Sequence, residues 1–402
     1  MRIGIIGGGT ASAISAIAIL NSAISNVDRF HKNISIACIY DPNIPITHVG
    51  ESTSPLFAQC MLRTFDLDFL EDLDKFDGTL RYYNKYFWSE AGGENFSVYH
   101  NGAGFHVNSE KFSNYIIDTL EKKYPLFTKI HDTVLSTTSF QEGVTVTGLS
   151  RNYNFDYVID CRGTPSQEEL NSNAYEKNVF QSVNSAILYP DFTKYDEPFT
   201  STHFHEHGWM FGVPLQHRKA WGYLYDKNIT SHEEANKHFA ELKGIDTTNL
   251  RRFSWEPYYK KTAMDGRILY LGNKLYFFEP TQAIPLNYYF AITDLFMQNC
   301  KLVPLDALNF TVNDFHKWRI EQIQNSISLV YVGDTSFHSK FWNTMKAKAF
   351  DRLTQSQDWQ LYIDRVSKEN KIGNYFLYSS SLMKNYIEGF KIDLSKLKTK
   401  IY

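Results

Sequence analysis

Residues 4–12 read GIIGGGTAS: an apolar run, then Gly7, Gly9 and Ser12, then a long segment rich in Ala, Ile and Ser. That order predicts strand, tight turn and helix. Glycines at such a turn let the backbone approach a pyrophosphate, and the helix N-terminus that follows faces it with unpaired N–H groups. A second apolar run, Ile34 to Tyr40 (ISIACIY), ends at Asp41. A carboxylate at that strand end can accept hydrogen bonds from both ribose hydroxyls of an adenosine, although the spacing from the glycines exceeds the usual ~20 residues. Alone the turn motif is weak, because its third position is Ser12 rather than Gly or Ala, and a strand-end aspartate is often merely solvated. Together the two features predict a dinucleotide cofactor.

Such residues need a sheet to hold them, and the chain supplies its strands in pieces. VGESTS (49–54) reads as a Gly/Ser/Thr turn, followed by a helix from Pro55 through Phe69. Residues 80–107 mix aromatics with Gly and Asn, a pattern of strands and loops. Ser109–Lys123 is a helix candidate capped by Asn108 or Ser109. Short strands are expected in 133–140 and 143–149, and DYVIDCRG (156–163) should return the chain to the first sheet. Residues 182–231 predict a second sheet, in SVNSAILYP, GWMFGVPL and KAWGYLYD. Ser231 opens a helix with a Ser-x-x-Glu capping box. RILYL (267–271) is a further strand leading to Gly272, and amphipathic helical patterns run from Asn309 onward.

Composition narrows the function classes. With 402 residues, 43% of them hydrophobic, the chain can bury a large core. A net charge of −3 with interspersed acids and bases offers no basic stripe for a phosphate backbone, so nucleic acid is not an expected partner. The four cysteines, Cys38, Cys60, Cys161 and Cys300, are far apart, with no metal-type cluster, and read as buried thiols in a reducing compartment. Residues 1–20 superficially resemble a signal peptide, but GGGT interrupts the apolar run and a nucleotide turn explains it better. No run reaches the ~18 apolar residues needed to span a bilayer. A soluble, cytoplasmic protein without a membrane partner is expected. Aromatic residues make up 16% of the chain, most of them expected in the core, yet planar side chains also suit a site that sandwiches flat rings.

Four segments read in order, GGGTAS (7–12), VGESTSP (49–55), GWMFGVPLQHRKAWGYLYD (208–226) and GNKLYFFEPTQAIPL (272–286), resemble the flavin-dependent tryptophan halogenase family. HVNSEKF (106–112), DYVIDCRG (156–163) and FHSKFW (337–342) fall where that family has similar stretches. The resemblance covers essentially the whole chain, which is shorter than the family around residues 89–104. It implies a mixed α/β fold: a flavin-monooxygenase-like FAD-binding domain with a Rossmann-type βαβ start, joined to a mostly helical substrate domain. The expected division is 1–306, with the second sheet and part of the substrate site interleaved (about 80–110 and 180–260), and 307–402 as a helical substrate region. It also implies the chemistry: reduced FAD and O2 oxidise a halide, and the hypohalous acid travels through a tunnel to a small aromatic substrate. A separate flavin reductase would supply reduced FAD by diffusion, and nothing calls for NADH on this protein.

The resemblance carries cofactor contacts onto Gly7, Gly9, Thr10 and Ala11 at the turn, with Ser12 behind them and Asp41 at the second strand. It adds Glu51, Ser52 and Thr53 beside the flavin, Val134 at the adenosine, and Gly272 with Asn273 beside the ribityl chain. Ile284 and Leu286 complete that set. The tunnel motif falls on Trp209, Phe211, Val213 and Pro214, and Glu279, Pro280 and Trp342 join the substrate side.

The catalytic positions depart from the family. Its lysine aligns with Arg81, which can donate hydrogen bonds to hypohalous acid but cannot become a neutral nucleophile; a shifted register would offer Lys85 instead. The family carboxylate that assists ring substitution is replaced by Gln282, which cannot take a proton. Pro285 has no N–H where the family binds chloride through backbone amides. These changes point to bromide or iodide rather than chloride, and to an electron-rich indole or phenol. An aromatic hydroxylase and a non-catalytic FAD-binding relative remain as alternatives, and the oligomeric state is open.

Overall fold

The computed structural model describes residues 1–25, 34–45, 50–65, 69–88, 94–193, 195–281, 284–333, 337–375 and 378–398. Strand β1 (Arg2–Ile6) lies at the centre of a six-stranded sheet. Its neighbours are β2 (Ser35–Tyr40) and β10 (Tyr157–Asp160), both parallel to it. Beyond them stand β6 (Phe127–His131) on one side and β19 (Ile268–Tyr270) with the antiparallel edge strand β18 (Met264–Asp265) on the other. Four consecutive buried residues in β1 and in β10 reflect a parallel sheet covered on both faces, where hydrophobic runs replace alternation. The expected return of residues 156–163 to the first sheet is thus found.

Helix α1 (Thr10–Ser25) follows the glycine turn and is buried over most of its length. Its small residues allow close packing, and Ser15 satisfies its own hydroxyl by donating to Ala11 O at 2.7 Å. It packs chiefly on α5 (Ile284–Asn299), a helix that the sequence patterns did not announce. Helix α2 is described over Pro55–Phe65; residues 66–68 of the expected span to Phe69 lie outside the described residues, and Phe69–Asp72 is again helical. Helix α3 (Ser109–Lys123) has the expected span, with Asn108 as its cap.

The second sheet has eight strands in the order β16-β12-β15-β14-β13-β4-β5-β3. These are β3 (Gly50–Ser52), β4 (Thr79–Phe87), β5 (Phe96–Asn108), β12 (Ser185–Asp191), β13 (Phe199–His205), β14 (Gly208–Pro214), β15 (Lys219–Tyr225) and β16 (Arg251–Ser254). All pairings are antiparallel except β13 with β4. Two smaller sheets complete the strands: β7 (Val134–Ser139), β8 (Val144–Gly148) and β9 (Asn152–Phe155); and β11 (Tyr175–Glu176), β17 (Tyr258–Lys260) and β20 (Tyr276–Phe277). Helix α4 (His232–Lys243) starts at Ser231, whose hydroxyl accepts from Glu234 N.

The C-terminal part is helical: α6 (Leu305–Val332), α7 (Lys340–Gln355), α8 (Gln357–Glu369) and α9 (Ser380–Gly389). Helix α6 begins four residues before the expected Asn309. The main apolar cluster runs without a break from Ile3 to Leu397. Among the described residues no helix is long and apolar enough to cross a membrane.

Candidate active site

A cavity of about 1300 Å³ runs from the glycine turn of β1 to the aromatic face of the large sheet. Gly7 adopts φ +118°, and a Cβ there would press on Cys161 O at 3.0 Å, so the tight turn requires glycine. Gly9 is the opposite case: nothing lies within 4 Å of where its Cβ would be, and that open space is the cavity. Thr10 and Ala11 also line it, at the N-terminus of α1, whose first turn holds no acid to cancel the helix dipole. Ser12 is buried behind Gly7 and does not reach the wall.

Asp41 lies at the same end of the cavity. Its carboxylate accepts from Thr133 Oγ1 (2.6 Å), Asn43 N (2.9 Å) and Asn43 Nδ2 (3.0 Å), and these bonds hold its pKa below the usual carboxylate range. Val134, next to Thr133, lines the wall near it, and Gly272 with Asn273 lines the cavity beside Ala11. The residues present fit a dinucleotide: an open glycine turn, a bare helix N-terminus and an ionised strand-end acid share one volume larger than common small-ligand pockets. Cys161 lines the same stretch, but burial lifts its thiol to about 12, so it is no nucleophile.

Glu51 and Ser52 form the next part of the wall. Glu51 accepts from the Thr10 hydroxyl, its Oε2 is buried without a partner among the described residues, and burial raises the acid to about 7. Ser52 opens a chain of polar contacts: Ser52 Oγ to Thr200 Oγ1 (3.0 Å), Thr200 Oγ1 to His106 Nε2 (2.9 Å), His106 Nδ1 to Thr79 Oγ1 (2.9 Å) and Thr79 Oγ1 to Pro214 O (2.7 Å). The last acceptor is a carbonyl, so Thr79 donates to it and accepts from Nδ1–H, leaving Nε2 as the acceptor for Thr200. His106 is a neutral imidazole, its pKa driven down by burial first and then by nearby Arg81. Pro214 is held by this chain behind the wall, not on it.

Arg81, Asn84 and Tyr86 face the cavity from β4. Strict alternation would put Arg81 and Lys85 on one side and Asn84 on the other. A bulge between Arg81 and Tyr83 changes that parity. Arg81, only 4% exposed, donates from Nη1 to Thr53 O (2.8 Å) and from Nη2 to Asn84 Oδ1 (2.6 Å). Lys85 instead lies over the rings of Phe87 and Phe199, at 5.0 and 5.5 Å from their centroids, away from the wall. Thr53 is also off the wall; it pairs with Phe105 through N and Oγ1 and presents its carbonyl to Arg81.

The aromatic end is built by β14, β15 and α6. Trp209 and Phe211 both line the cavity. Phe211 lies directly over Gly222 of β15, where any Cβ would strike its ring at 2.2 Å. Trp209 Nε1 donates to Tyr331 Oη (3.0 Å), and Tyr331 Oη is 3.1 Å from both carboxyl oxygens of Glu279. Thr281 Oγ1 also donates to Glu279. Burial nevertheless dominates and lifts the Glu279 acid to about 8. Pro280 and Leu286 join the wall, whereas Ile284 is buried off it. Pro285 is in the first turn of α5, a place where its missing N–H costs the helix nothing, and it lines the cavity. Trp342 does not: its Nε1 donates to His205 O (2.8 Å) inside a cluster with Trp88 and Phe337. Gln282 lies outside the described residues.

Sequence reading missed Asn84, Tyr86 and Tyr331. Asn84 and Tyr86 needed the bulge, which no residue type in β4 announces. Tyr331 is 122 residues from Trp209, beyond any local signal.

A sequence profile of tryptophan halogenases matches residues 2–125 and 100–382. The chain belongs to the tryptophan halogenase family. Within that family, tryptophan 7-halogenase RebH from Lentzea aerocolonigenes is 27% identical over 173 residues, a stretch covering 40% of this chain and 32% of RebH. The match therefore spans about a third of that curated relative. Tryptophan 6-halogenase SttH from Streptomyces toxytricini shares the fold with a TM-score of 0.79 over 97% of this chain and 89% of its own, at 16% identity. BrvH, a flavin-dependent halogenase from Brevundimonas sp. BAL3, does so with a TM-score of 0.77 over 98% and 93%, at 15% identity. The mixed α/β halogenase fold expected from the sequence motifs is the fold found.

Proposed function

We propose that this chain is a flavin-dependent halogenase that uses reduced FAD, O2 and a halide, bromide or iodide in preference to chloride, to halogenate an electron-rich indole or phenol. The observation that carries this reading is the continuity of the cavity: the nucleotide turn at Gly7–Gly9 and the aromatic wall at Trp209 and Phe211 belong to one volume. Gly7, Gly9 and Thr10 at the turn and Asp41 at the strand end would hold FAD, which when bound would supply the oxidation of halide by O2. A separate flavin reductase keeps it reduced.

This chain's own residues bind, guide and polarise. Trp209, Phe211 and Val213 form an apolar passage that keeps the oxidised halogen from water. Arg81 stays charged, with burial lowering it only to about 10, and donates hydrogen bonds to hypohalous acid, withdrawing electrons from its oxygen. The ring carbon then takes the halogen as an electrophile; oxygen leaves as water after gaining a proton, and the ring loses its own proton. With Gln282 in place of a carboxylate and Glu279 largely protonated at neutral pH, no strong base assists that last step. A substrate activated by its own nitrogen or hydroxyl is therefore the one that reacts.

The test is mass spectrometry of turnover mixtures containing FAD, a flavin reductase, NADH, O2 and a panel of indoles and phenols, run separately with chloride, bromide and iodide. A bromine isotope doublet or an iodine mass increment that needs the protein is expected. An oxygen increment independent of halide would replace this reading with an aromatic hydroxylase.

A further inference from the structure

Among the described residues, Arg81 is a buried charge without a counter-charge. Both acceptors it uses, Thr53 O and Asn84 Oδ1, are neutral, and they take two of its five N–H bonds. Its Nε is buried with no acceptor among the described residues. The groups that face it from the surrounding elements are Tyr86 on β4, His100 and His106 on β5, and Tyr386 on α9. Burial lowers His100 to about 3 and pushes His106 well below its ordinary range, so both imidazoles are neutral near pH 7. Both phenols are held above their ordinary value, Tyr86 and Tyr386 lying 3.4 Å apart through their hydroxyls, and are neutral too. The nearby groups that could titrate are thus uncharged, and the guanidinium pays for burial in lowered basicity instead of being compensated.

We propose that Arg81, held by Thr53 and Asn84, forms an anion site on the cavity wall that takes a weakly hydrated monovalent anion, either a halide ion or the carboxylate of an aromatic acid. The assignment of halide as its natural occupant rests on the halogenase reading; the site itself rests on geometry. Pro285 strengthens it. The residue lines the same cavity in the first turn of α5 but offers no N–H, so an anion there lacks one backbone donor. The guanidinium supplies directional, charge-assisted donors on the wall of that cavity, and the neutral phenols of Tyr86 and Tyr386 give it polar but uncharged company. An anion bound there cancels the buried charge and needs no carboxylate of the protein to be displaced.

Thermal unfolding of the wild-type chain, Arg81→Gln and Arg81→Lys tests this at constant ionic strength with sodium bromide, sodium iodide or sodium indole-3-acetate as the varied anion. Anion-dependent stabilisation of the wild type gives an apparent Kd. That Kd should weaken about tenfold or more in Arg81→Gln and stay within about threefold in Arg81→Lys, as loss of charge-assisted hydrogen bonds predicts. Crystals of the wild type soaked in bromide should show an anomalous peak within hydrogen-bond distance of Arg81. A response to bromide or iodide that depends on Arg81 makes the occupant halide; one confined to indole-3-acetate makes it a substrate carboxylate. Equal responses in wild type and Arg81→Gln, no response to any of the three anions, or a bromide peak only elsewhere would overturn the site. None of these readouts needs turnover, so an Arg81-dependent bromide site in a protein that halogenates nothing would sink the halogenase reading and leave the anion site standing.

Discussion

Glu279 and Arg81 are buried ionisable groups on one cavity wall, and burial acts on them in opposite chemical directions. Arg81 cannot shed its proton near neutrality and so stays a cation. Glu279 can take one, and its three hydrogen-bonding neighbours, Thr281, Tyr331 and the Val183 amide, do not offset the loss of solvation. Its acid rises from 4.5 to about 8. The folded chain therefore binds a proton that the unfolded chain releases above pH ~4.5, and stability is fully present below that pH and is lost as pH rises toward 8. Glu51, raised to about 7, acts in the same direction. Glu279→Gln keeps an acceptor for Tyr331 and Thr281 while removing the titration. Urea unfolding at pH 5, 7 and 8.5 should show the wild type losing stability across that range and the variant losing distinctly less. Parallel curves for the two proteins would show that Glu279 titrates normally in the fold.

At the scale of elements, β4 decides which side chains line the cavity. One bulge after Arg81 hands the inward positions to Arg81, Asn84 and Tyr86 and turns Lys85 out against Phe87 and Phe199. Arg81→Ala should abolish product while FAD still binds, whereas Lys85→Ala should leave turnover within about threefold; the reverse pattern would mean that β4 runs in the other register. The parity shift is also why this part of the site was not legible in the sequence. The nucleotide half was: a glycine turn, the strand ending at Asp41 and the helix after the turn are local patterns, and each side chain acts within a few residues of its own signal. The place of Trp209 and Phe211 on the cavity wall was legible through motif order. Helix α5 was not, because its run of Tyr, Phe, Ile and Leu is buried on nearly every side between α1 and α6, which erases the amphipathic period. Strand β13, with Thr and His among its residues, lacks the apolar alternation that marks a strand and is fixed by its pairing with β4 and β14.

At the scale of the molecule, the helices after residue 304 are tied to the sheets by buried polar bonds as well as by apolar contact. Asn313 on α6 exchanges two hydrogen bonds with the backbone of Met264, at 2.8 and 2.9 Å. His316 donates from Nε2 to Lys260 O (2.7 Å) and accepts at Nδ1 from Tyr288 (2.6 Å). Gln324 accepts from Phe180 N, and Tyr331 joins Trp209 to Glu279 at the cavity itself. Removing the helices would break those bonds and bare the apolar faces of α5 and of the large sheet. The helices brace one side of the cavity, through Val330 on its wall and Tyr331 behind Trp209, and the nucleotide turn lines the same volume. Two consequences can be measured. Unfolding of the chain in urea, followed by tryptophan fluorescence and by far-ultraviolet circular dichroism, should give coincident curves, and a fragment of residues 1–306 should be insoluble or lack a cooperative transition. A soluble 1–306 fragment that unfolds cooperatively and binds FAD as tightly as the full chain would mean that the nucleotide half stands alone and that the helices bear only on the aromatic substrate.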